Sequence, residues 1–114
     1  MLFVSLPAED LAALLAARRY ITIAHHIPGR IRLRFDPLPL SRAMGGRTER
    51  LRPLLGRIRG IAGIDLNLPA RSLVVAYDPA VLAPATWERL LTLAAGEAAG
   101  LLDRLQAAEP GTAI

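Results

Sequence analysis

The chain has 114 residues, 53% of them hydrophobic, 4% aromatic and 21% charged, with no cysteine. That size and apolar content predict one small folded domain and exclude a disordered chain, a disulfide-stapled scaffold and any thiolate metal site. All 14 basic residues are arginine: nine lie between Arg30 and Arg59 against two acids, net +7, while the other five face eight acids, net −3.

Clustered charge of this kind marks an anionic partner, whereas the absence of lysine is what compositional bias alone produces. No apolar run approaches the ~18 residues needed to span a bilayer. The opening MLFVSLPAEDLAALL meets two acids early and has no basic leader, unlike a secretory signal. The expected location is cytoplasmic.

In chain order, Ser5-Leu6-Pro7 opens a helix predicted over about 5–18, with Ser5 as cap, Glu9 and Asp10 at its positive end and Arg18 and Arg19 at its negative end. Leu11, Leu14 and Leu15 form its apolar stripe. An amphipathic helix ending in two arginines also suits contact with anionic lipid, so membrane association is a second expectation.

A long alternation follows. Ile21, Ile23, His25, Ile27, Ile31, Leu33 and Phe35 share one parity, and Thr22, His26, Arg30, Arg32 and Arg34 the other. Period two predicts a half-buried strand or two consecutive strands. Pro28-Gly29 bends or bulges the run, which leaves parity open across that step. After it, three guanidinium groups project from one face and three apolar side chains from the other.

The prolines and glycines of Asp36–Gly46 read as a loop. Leu51, Leu54, Leu55, Ile58 and Ile61 then recur at helical spacing, predicting a helix over about 47–60 with Pro53 in its first turn and Gly60 as its stop. GIDLNLPARSLVVAYDP reads as a hairpin turning at Pro69-Ala70-Arg71. A last helix starts near Pro84 and packs through Leu90, Leu91, Ala94 and Ala98. Gly96 and Gly100 weaken it before a helical extension over about 99–109 and a frayed tail from Pro110. The predicted class is α+β, an antiparallel sheet with helices on one face. Its first strand sits centrally, so Arg30, Arg32 and Arg34 stand in the middle of an open face.

The stretch GIAGIDLNLPARSLVVAYDP, through Gly63-Ile64, Asn67 and Tyr77-Asp78-Pro79, resembles the heavy-metal-associated domain family. The resemblance covers roughly residues 27–97 and implies a ferredoxin-like βαββαβ sandwich, here with an extra N-terminal helix and a single domain over 1–114. The family's Cys-x-x-Cys is missing, so thiolate capture of copper or zinc does not carry over. HHIPGRIRLRF is similar instead to a divergent branch marked by a His, a Pro-Gly-Arg step and a further Arg on the first strand. His25, Pro28, Gly29, Arg30 and Arg32 match that signature, and His26 and Arg34 extend it. The branch occurs as small stand-alone proteins and at the front of some metal-transporting P-type ATPases, including ones linked to iron. The resemblance therefore implies iron or haem handling and a metal-transporting membrane protein as partner. The family's last strand is missing after Glu97, and Tyr20–His26 is the segment available for that edge.

Adjacent histidines on a strand point to opposite faces, so His25 and His26 do not chelate one ion together. Either one alone can ligate haem iron axially, with Arg30 and Arg32 pairing the propionates. Anion binding needs only the row Arg30, Arg32 and Arg34, whose planar forks grip phosphate or carboxylate. The plain alternative is a satisfied sheet histidine beside solvated arginines. Nucleic acid fits the charge but finds no aromatic platform. There is no P-loop, no nucleophile elbow and no Ser or Cys partner for either histidine, so no enzyme is expected. The leucine-rich end helices hold apolar surface for core packing, a homodimer or a membrane-protein partner. The reading is a non-catalytic metal-handling accessory domain, possible haem or iron its ligand. The alternative is an adaptor whose Arg face meets an acidic partner.

Overall fold

A computed structural model of the chain describes residues 7–106. The predicted cap Ser5 and everything after Gln106 lie outside that range. Helix α1 (Ala8–Ala17) starts after Pro7 and carries Glu9 and Asp10 in its first turn. A 3-10 turn, Arg18–Tyr20, delivers the chain to β1 (Ile21–Ile27). Strand β2 (Arg30–Phe35) returns antiparallel to β1 after only two residues, Pro28 and Gly29. Proline at the first and glycine at φ +91° at the second central position suit a type II turn, which a side-chain-bearing residue enters only with strain. The long alternating run is thus a hairpin.

Asp36–Gly46 is not a loop. Pro37–Ala43 forms α2, with Pro37 at its first position and Pro39 still in the first turn, where a missing N–H breaks no helical bond. The helix predicted over 47–60 is shorter: a 3-10 turn, Thr48–Arg50, runs into α3 (Leu51–Leu55). The chain then leaves the helix so that Ile58 bridges to Gln106 and the Arg59 N–H donates to the Leu105 carbonyl. Strands β3 (Ile61–Asn67) and β4 (Ser72–Tyr77) form the expected hairpin. Its turn is held by Asn67 Oδ1, which accepts from the Ala70 N–H. The last helical region breaks at Leu93-Ala94 into α4 (Ala85–Thr92) and α5 (Ala95–Arg104), and Ala94, expected in the packing face, is exposed.

The protein is α+β, with one four-stranded antiparallel sheet ordered β1-β2-β4-β3. This arrangement is compatible with a ferredoxin-like type of fold but is not βαββαβ, because strand order and helix count differ. The edge beside β2 is occupied by β1, which precedes the other strands in the chain. Ile31, Leu33 and Phe35 of β2 and Leu73, Val75 and Tyr77 of β4 are buried on one face. They share one core with Leu14, Leu51, Leu54, Leu90, Leu101 and Leu102 from the helices. Each large apolar side chain so removed from water contributes about 1.5–3 kcal/mol. Among the described residues no helix is long and apolar enough to cross a membrane.

Both edge strands are bulged. In β1, Ile23 pairs with Leu33 but His25 pairs with Arg32, leaving Ala24 as the extra residue. In β3, Ile61 pairs with Tyr77 but Gly63 with Ala76, leaving Ala62.

Candidate functional site: the open face of the sheet

The bulge at Ala24 decides which histidine belongs to which face. Without it, His25 continues the parity of Ile21 and Ile23 toward the core. With it, His25 stands opposite Arg32 and His26 opposite Ile31, and paired residues share a face. His25 therefore joins the arginines and His26 turns inward, the reverse of the parity in the sequence. His26 Nε2 and the Tyr77 hydroxyl share a hydrogen bond of 2.6 Å, and their rings lie 5.9 Å apart. Tyr77 is buried and packs in turn against Trp87, with ring centroids 5.6 Å apart. His26 is a satisfied residue at the margin of the core.

On the open face, strand registers set three rows across four strands. Ile27, Arg30, Ala76 and Gly63 form the first; His25, Arg32, Val74 and Asp65 the second; Thr22, Arg34, Ser72 and Asn67 the third. Arg30, Arg32 and Arg34 make the central column, all exposed, while the residues between them are buried. None of the three has a hydrogen bond or ion pair among the described residues. The column lies alongside a lane of smaller side chains on β4, and Asp65 is the only acid in the three rows.

Pro28 and Gly29 have a structural role. The Gly29 carbonyl accepts from the Tyr77 N–H at 2.9 Å, and a Cβ at Gly29 would lie 3.4 Å from the Tyr77 carbonyl and 3.8 Å from Pro79 Cδ. The Pro-Gly step and Tyr77-Asp78-Pro79, distant in the sequence, thus meet at one end of the sheet. Asp78 finishes the strand by accepting the Ala80 N–H.

No group of three or more His, Asp or Glu side chains able to hold a metal ion occurs among the described residues. The three rows of the open face hold one imidazole, three guanidinium groups and the Asp65 carboxylate. A separate groove of about 590 Å³ runs between α1 and the segment linking α2 to α3. An ion pair in its wall, Arg50 Nη2 to Asp10 Oδ1 at 2.9 Å, was not legible in the sequence, where the partners are forty residues apart. Comparison with family models, with curated proteins and with solved structures returns no match.

Proposed function

We propose that this is a non-catalytic binding domain whose open sheet face, centred on Arg30, Arg32 and Arg34, holds an anionic ligand or partner. One observation carries this reading: three exposed guanidinium groups stand in a line on the face opposite the core, and none has a hydrogen bond or ion pair among the described residues. Like charges on neighbouring positions of one face repel, and an anion bound there relieves that repulsion while using planar forks that suit carboxylate or phosphate. Titration with pyrophosphate, followed by amide chemical shifts, tests it. Perturbations confined to β1, β2 and β4 and lost in Arg32→Ala are expected; perturbations centred on the helical side overturn it.

A second reading is iron or haem handling, as the resemblance to the heavy-metal-associated family implies, on a ferredoxin-like frame whose last edge strand is replaced by β1. The observation that favours it is the pairing of His25 with Arg32, which sets an imidazole beside guanidinium groups on one accessible face. His25 is then the axial ligand and Arg30 and Arg32 the partners of the propionates. His26, engaged with Tyr77, takes no part. In this reading the partner is a metal-transporting membrane protein. Haem titration should give a saturable Soret band that His25→Ala removes and His26→Ala keeps. Absence of saturable binding overturns the haem reading.

A further inference from the structure

We infer that the partner of the open face is an extended protein segment carrying acidic side chains at every second residue. This rests on the reading of the face as an anion surface and names what that surface takes. Spacing is the first argument. A strand rises about 3.3 Å per residue, so Arg30, Arg32 and Arg34 stand about 6.6 Å apart in one line. An extended peptide repeats its same-side side chains at that same interval. Acids at alternate positions therefore meet all three forks in step, with no bending of either chain. Helical acids, neighbours at three- or four-residue steps, drift out of register with the column.

The floor is the second argument. Beside the arginines, β4 carries the buried Ser72, the half-buried Val74 and the exposed Ala76, side chains that do not rise above the strand and leave the arginines as the tall groups along the lane. Across that lane Asp65 is the only acid in the three rows, and its charge turns an acidic segment's carboxylates away from β3 and toward the arginine column. The third argument is what the face lacks. His25 is the only aromatic ring in the three rows. A single-stranded nucleic acid would find the charge but no successive surfaces for its bases to stack on.

The test uses the full chain and two fluorescent peptides of identical composition, one with glutamates alternating with threonines, the other with the glutamates in one block. Fluorescence anisotropy should show the alternating peptide binding at least about fivefold more tightly. Each of Arg30→Ala, Arg32→Ala and Arg34→Ala should weaken it by up to about fivefold, the range expected of one exposed ion pair. Ala76→Trp, which blocks the lane without changing charge, should weaken peptide binding and leave pyrophosphate binding intact. Urea unfolding of each variant verifies that it is folded. Equal affinity for the two peptides overturns the inference, as does tighter binding of single-stranded RNA or of anionic vesicles. Pyrophosphate binding that needs Arg32, without peptide binding, removes this inference alone. If neither pyrophosphate nor peptide binds, the reading of the face falls with it.

Discussion

The two sides of the sheet differ in what their arginines do. On the helical side some are engaged, while the exposed Arg42, Arg47, Arg52 and Arg89 have no hydrogen bond or ion pair among the described residues. Arg18 Nη1 donates to the Leu90 and Leu93 carbonyls at the end of α4. Arg59 Nη2 donates to the Arg104 carbonyl at the end of α5, and Arg50 pairs with Asp10. Arg18 and Arg59 satisfy carbonyls that a helix end leaves open and complement its negative pole. On the bare side, Arg30, Arg32 and Arg34 do none of this. A lysine-free composition accounts for arginine being the cation in both places, but not for a column of three without partners. The two histidines divide likewise, His26 bonded to Tyr77 and His25 facing solvent beside Arg32. The difference separates arginines that hold the fold from arginines available to something outside it.

That contrast yields a ladder of stability changes, measurable by urea unfolding. Leu33, 3% exposed between Arg32 and Arg34, is the largest step: Leu33→Ala should cost about 2–5 kcal/mol through lost burial and the cavity left behind. Arg18→Ala should cost about 1.5–3 kcal/mol, because two carbonyls lose a charged donor in a partly buried setting. A cost under half a kcal/mol would place Arg18 with the idle arginines instead. Tyr77→Phe keeps the ring packing and removes only the hydroxyl, so a loss of about 1 kcal/mol is expected. The same change should leave ligand binding at the open face untouched. The triple variant Arg30→Ala, Arg32→Ala and Arg34→Ala should move stability by no more than about 0.5 kcal/mol. A loss of several kcal/mol there would show that the column serves the fold after all and would erase the distinction between the two sides.

Much of this was legible in the sequence, and the exceptions have physical causes. Alternation from Arg30 to Phe35 gave the strand and its two faces because nothing interrupts it before Asp36. The β3–β4 hairpin was legible from its turn residues and its Asp78-Pro79 stop. Tyr20–His26 was open as the substitute edge strand, and the sheet order places most of it there. Helix α2 was hidden because its prolines read as breakers, although the first turn of a helix is where proline costs least. The end of α3 was hidden because Ile58 keeps helical spacing while pairing with Gln106, a contact set by tertiary structure. The assignment of the two histidines was beyond reach for a sharper reason. One extra residue, Ala24, reverses the parity of everything after it in β1, and alanine carries no mark of a bulge.

Those bulges have a consequence for how the protein behaves at high concentration. A sheet with two free borders invites further strands, and that invitation is the usual route to fibres and to ribbons built from many copies. Here each border strand carries one misaligned alanine, Ala24 on one side and Ala62 on the other. An incoming strand would lose its hydrogen-bonding rhythm midway along β1 and near the start of β3. The molecule should therefore stay dispersed when crowded, and deleting one of these alanines to straighten a border should make it the more prone to stack.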